Sequence, residues 1–133
     1  MMWTPDLSVG VTIIDEQHKT LIEKADKLFE AGKNRQAKEY INEMLDFLKS
    51  YTIKHFHDEE QYMLSIKYPG FDEQKKAHSG FIAQLEKITT DFNKSGGNIL
   101  VILNTNQLVS NWLITHISKL DKKIGEYVNV KIK

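Results

Sequence analysis

The sequence predicts an all-α protein, an antiparallel up-down-up-down four-helix bundle with an extended N-terminal arm. Three observations predict it. Four segments repeat inward-facing residues in steps of three and four, which is the stripe of a packed helix. Short stretches of turn-forming residues separate them, and helices joined by short turns pack antiparallel to their neighbours. Alternating the helices also brings four of the five histidines to a single level of the bundle.

The arm covers residues 1 to about 13, where Pro5 and Gly10 stand without helical period. Trp3 is expected to anchor it. Asp15 reads as the N-cap of a first helix running to about Ala31, with Gly32 as its stop and a seam of Ile14, His18, Leu21, Ala25 and Leu28. Asn34 reads as the cap of a second helix, from about Arg35 to Ile66, with the seam Ile41, Leu45, Leu48, Thr52, His55, Glu59, Tyr62 and Ile66. Pro69-Gly70 closes the following turn. The third helix, about Asp72 to Asn93, offers Phe71, Gln74, His78, Phe81, Leu85, Ile88 and Phe92. After Ser95-Gly96-Gly97, a fourth begins near Asn98, presents Ile102, Asn106, Val109, Leu113, His116 and Leu120, and fades near Gly125.

Composition narrows the function. The 133 residues suit one domain, 1–133, and 41% hydrophobic content is enough for a core. Eighteen basic and eighteen acidic side chains cancel without blocks of either sign, so neither nucleic acid nor an anionic membrane is an expected partner. No leader pattern and no membrane-spanning stretch is visible, which makes a cytoplasmic protein the expectation. Lys and Glu on the outward helix positions suggest a monomer. With no cysteine, any metal must be held by histidine and carboxylate.

His55 and Glu59 stand one helical turn apart, about 6 Å along the axis, and both face inward. A carboxylate so placed costs several kcal/mol unless a cation or strong donor meets it. His18, His78 and His116 arrive at the same level, whereas His57 is turned about 200° from His55 and should be exposed. A lone inward histidine is more often a core residue with its hydrogen bonds met. Four at one level beside a glutamate reverse that expectation and suit a first-row transition metal. Because Glu59 can bridge through its two oxygens, two ions fit better than one. Asp121 is the natural second bridge, but it follows His116 by five residues and needs a π-type turn or a loosened helix end to reach inward.

These residues, together with Trp3, Val9-Gly10, Ile14-Asp15-Glu16-Gln17-His18, His55-Phe56-His57-Asp58-Glu59-Glu60-Gln61-Tyr62-Met63, Tyr68-Pro69, His78 with Phe81, and Trp112 to Gly125, resemble the hemerythrin family in its single-domain bacterial branch. The resemblance covers nearly the whole chain. It implies a non-haem di-iron centre of two iron ions (Fe2+/Fe3+) with an oxo or hydroxo bridge, and O2 as the partner. By the same resemblance His18 and His55 would hold the iron with an open position, His78 and His116 the other, and Glu59 and Asp121 would bridge. Leu21, Phe56, Trp112, Leu113 and Ile117 match positions that wall the family's oxygen pocket.

One departure stands out. Where the family has His-x-x-x-His on its third helix, this chain has Gln74-Lys75-Lys76-Ala77-His78. Gln74 would be a weak amide ligand or hold a water, or Glu73 would substitute through a local bulge. The expected function is O2 storage, delivery or scavenging, with O2 binding altered by Gln74. The alternative is a di-iron enzyme acting on peroxide or nitric oxide. His57, Asp58 and Glu60 read as a solvated face rather than a proton relay.

Overall fold

The computed structural model describes residues 3–132, and the side chains of residues 105, 107, 108 and 130–132 are outside the description; Met1 and Met2 of the expected arm, and Lys133, also lie outside the described residues. A 3-10 turn at Pro5–Leu7 precedes α1 (Thr12–Lys33), α2 (Lys38–Ser65), α3 (Phe71–Lys94) and α4 (Ile99–His116). A π-helical turn, Ile117–Asp121, leads directly into α5 (Lys122–Ile132). No strand occurs among the described residues. The four long helices pack as the predicted bundle, each against its chain neighbour and α1 also against α4.

The seams bury as their periodicity requires. Leu21, Ala25, Leu28, Ile41, Leu45, Leu48, Phe81, Leu85, Phe92, Ile102, Val109 and Leu113 join in one apolar cluster. A second cluster is built from Leu7, Val9 and Val11 of the arm with Ile14, Ile22, Met63, Ile117 and Ile124. Fully burying a side chain of this kind contributes about 1.5–3 kcal/mol. Trp3 packs on the second cluster with the Lys19 ammonium 4.5 Å over its ring, so it does anchor the arm. The inward polar residues fall between the two clusters.

Several boundaries differ from the sequence reading. Asp15 is not an N-cap: α1 begins at Thr12, and the Asp15 carboxylate accepts from Ser8 Oγ at 2.6 Å and Val9 N–H at 2.8 Å, tying the arm to the helix. One turn inside the helix, a short carboxylate can reach back to donors that the arm would otherwise bury unpaired. Gly32 does not stop α1. It lies inside the helix and close to α4, where an added Cβ would sit 3.3 Å from Ile102 Cγ2. The chain turns instead at Arg35, in the left-handed region at φ 54°, which makes Asn34 the C-cap of α1 and starts α2 at Lys38. Asn98 does cap α4, its side chain accepting from Leu100 N–H at 3.0 Å. Asn106 is exposed rather than inward, and it accepts from Ser110 Oγ at 3.2 Å. Burial would strand those amide groups. Nor does the helix fade near Gly125, since α5 continues past it and brings Ile124 into the core.

Gly125 fits because it has no side chain. A Cβ there would land on the Val9 carbonyl group of the arm. Gly125→Ala should therefore displace the arm and cost about 1–3 kcal/mol, as overpacking does. Urea unfolding checks the loss, and faster proteolysis ahead of Thr12 checks its cause.

Candidate metal centre

Four helices and the π turn each deliver a side chain to the layer between the two apolar clusters. α1 supplies His18, α2 supplies His55 and Glu59, α3 supplies Gln74 and His78, α4 supplies His116, and the π turn supplies Asp121. All are buried, and Asp121 is 0% exposed. A regular helix would carry Asp121 about 140° away from His116. The π turn between them removes that angle, and it is the device that the five-residue spacing required.

The imidazoles point their Nε2 atoms at the two carboxylates. His78 Nε2 lies 3.0 Å from Glu59 Oε1, and His55 Nε2 lies 3.5 Å from Glu59 Oε2. His18 Nε2 is 2.9 Å from Asp121 Oδ2, and His116 Nε2 is 3.2 Å from Asp121 Oδ1. The outer nitrogens of two rings are held from behind. His55 Nδ1 donates to Gln17 Oε1 at 2.8 Å, and Gln17 Nε2 donates on to Asp58 at 2.9 Å. His78 Nδ1 donates to Glu60 Oε2 at 2.9 Å. A carboxylate only accepts, and the Gln17 amide is oriented by Asp58, so both rings keep their proton on Nδ1. Their Nε2 lone pairs then face Glu59 oxygens, an arrangement that needs a cation or a shared proton between them.

Short distances here do not mean satisfied groups. Eight buried side-chain polar atoms lack a hydrogen-bond partner among the described residues, and six are in this layer: both ring nitrogens of His18, both oxygens of Glu59, Gln74 Oε1 and Asp121 Oδ2. His18 Nε2 and Asp121 Oδ2 are close, yet not aligned as donor and acceptor. Native interiors rarely leave such groups unmet. The donors group into two overlapping sets that could each hold a metal ion, His18, His55, Glu59 and Asp121 in one and Glu59, His78, His116 and Asp121 in the other. Both carboxylates belong to both sets.

Electrostatics follows from burial. Burial, reinforced by the charge of His18, lowers the pKa of His55 to about 3. Burial likewise brings His78 to about 4, although the bond to Glu60 works the other way. Burial, with the Asp121 charge beside it, pushes Glu59 well above the usual carboxylate range. Burial opposes ionisation of Asp121 too, but His116 and His18 overcome it and hold this carboxylate well below its usual range.

These features match known proteins. Residues 9–128 match the hemerythrin HHE cation binding domain. The chain belongs to the hemerythrin family. Bacteriohemerythrin of Stenotrophomonas maltophilia is 30% identical over 132 residues, which span 99% of this chain and 84% of that protein. Hemerythrin subunit 1 of Golfingia vulgaris is 33% identical, over 92% of this chain and 88% of its own length. A crystal structure of wild-type hemerythrin superposes with a TM-score of 0.83 at 29% identity, covering 95% of each chain. Among the described residues, no helix of this hemerythrin-family chain is long and apolar enough to cross a membrane.

His18, His55, Glu59, Gln74, His78, His116 and Asp121 were expected in one layer, and all seven are buried there. Glu73 is exposed and does not replace Gln74. His57 is exposed, as expected. Asp58 and Glu60 are not merely a solvated face, because they end the hydrogen bonds that orient His55 and His78. Gln17 was missed because it flanks the seam rather than lying on it. The chemical rule that a ligating imidazole needs an acceptor for its second nitrogen is the signal that could have found all three.

Two predictions follow from this geometry. Gln17→Ala frees His55 to rotate and should weaken metal binding about 10–100-fold, measured by competition with a chromophoric chelator. In the metal-free protein, His55 and His78 should stay neutral through pH 6.5 and titrate only near pH 3 and pH 4, read from their ring signals by NMR. Since the unfolded chain binds these protons near pH 6.5 and the folded chain does not, the two histidines contribute a loss of stability as pH falls from 6.5 towards 4. Glu59, raised by folding, works the other way in both proteins, so the check is the difference: the urea midpoint should lose more across that window in the natural chain than in His55→Asn.

Proposed function

We propose that this chain is a non-haem di-iron protein that binds O2 for storage, delivery or scavenging. The observation that carries the proposal is the pair of donor sets sharing Glu59 and Asp121. His18 and His55 would hold one iron, His78 and His116 the other, and both carboxylates would bridge, alongside an oxo or hydroxo group. Hemerythrins are iron- and oxygen-binding proteins, and an iron pair held by these residues would supply the electrons for reversible O2 binding.

The protein's own contribution is orientation, charge and dryness. Gln17 and Glu60 fix which nitrogen of His55 and His78 faces the centre. The carboxylates would offset the charge of cations held here, and would no longer be buried without a partner. Leu21, Phe56, Leu113 and Ile117 are buried, and half-buried Trp112 completes the expected wall. Phe56 stacks on His78 with centroids 3.8 Å apart, and Trp112 stacks on His116 at 4.4 Å. Such an apolar wall keeps water away from a reactive oxygen species. A monomer is the state that Lys and Glu on the outward helix positions support, and the cytoplasm is its expected setting.

The departure at Gln74 favours a second reading, an enzyme that consumes peroxide or nitric oxide, because an imidazole-poor iron differs in redox potential and lability. Loading with ferrous iron under anaerobic conditions separates the two. The purified chain should bind two irons, and admitting O2 should raise a visible ligand-to-iron absorption that clears on deoxygenation. Absence of bound iron overturns the di-iron assignment. Steady consumption of peroxide in the presence of a reductant, without a reversible spectrum, favours the enzyme. Gln74→His should slow irreversible oxidation if this residue is the cause of altered O2 handling.

A further inference from the structure

The two donor sets are evenly matched: each has two histidines and the same two carboxylates. Position 74 could tip that balance, and its geometry shows why it does not. Gln74 is 1% exposed, and its Nε2 donates to Asp121 Oδ1 at 2.9 Å. Reversing the amide would set its carbonyl oxygen against a carboxylate oxygen, so Asp121 dictates the orientation. An amide nitrogen has no lone pair to offer a metal. The carbonyl oxygen is left buried without a partner. Nearby, a surface groove of about 480 Å³, lined by Ala77, Trp112, Thr115 and Leu120, borders His116, the one residue of the layer that it touches.

We propose that Gln74 is a positioning residue for Asp121 rather than a ligand, and that the metal held by His78 and His116 carries an exchangeable coordination position of its own. Both metals are then open to small exogenous ligands. The orphaned Gln74 Oε1 is a hydrogen-bond acceptor, so the resting occupant it fits is a protic oxygen donor such as water, which a small exogenous ligand can displace. This inference rests on the di-iron reading above.

Its test uses the full chain loaded with ferric iron and titrated with azide, with metal content measured on the same samples. Two irons and two azide equivalents per chain, seen as two steps of ligand-to-metal absorption, are expected for the natural chain. Gln74→His and Gln74→Glu each supply a donor and should reduce this to one equivalent; the use of two variants guards against one that misfolds. In zinc-loaded protein, the Gln74 side-chain N–H2 should give an NMR signal protected from exchange by its bond to Asp121. Two irons with a single azide equivalent, terminal or bridging, overturn the second position and leave the di-iron reading standing. Fewer than two irons overturn both. An unprotected Gln74 amide overturns the positioning role.

Discussion

Two carboxylates are buried where four helices converge, and the rest of the structure is arranged around that constraint. Glu59 and Asp121 are 1% and 0% exposed, and among the described residues neither has a lysine or arginine counter-ion. Taking such charges out of water costs several kcal/mol each unless strong partners meet them. Histidine nitrogens and the Gln74 amide face them here, and burial holds His55 and His78 neutral near pH 7. Neutral imidazole lone pairs opposite buried carboxylates are complementary to cations, and poor partners for each other.

The surroundings make that arrangement rigid. One apolar cluster lies on each side of the polar layer, and the arm joins the second of them through Leu7, Val9 and Val11. Aromatic rings lie flat against His78 and His116, while hydrogen bonds donated to Gln17 and Glu60 fix the opposite edges of His55 and His78. A ring held by stacking and by one hydrogen bond has little freedom to turn away. Gln74 adds a further hydrogen bond to Asp121, at the point where the helix is least regular.

Residues whose role depends on helix periodicity were legible. His18, His55, Glu59, Gln74, His78 and His116 repeat in register with apolar neighbours, and antiparallel alternation alone brings them to one level. Asp121 was legible only as an exception, since its spacing from His116 demanded a backbone irregularity that periodicity does not encode. Asp15 and Asn34 were misread as N-caps because a short polar residue before an apolar run serves equally well as a tether or a C-cap. Asn106 was misread as inward because its spacing fits the seam while its amide is better served by solvent and Ser110.

By itself, then, the sequence determined the bundle, the level of the polar layer and the donor types available to it, because all three follow from a helical repeat and from the absence of cysteine. Tertiary structure decided how those donors are used. Whether Gln74 faces inward by its oxygen or its nitrogen depends on Asp121, which is 47 residues away. Whether His55 presents Nε2 or Nδ1 depends on Gln17, in another helix. Hydrogen-bond direction is a property of partners brought together by folding, and no spacing along one chain segment contains it.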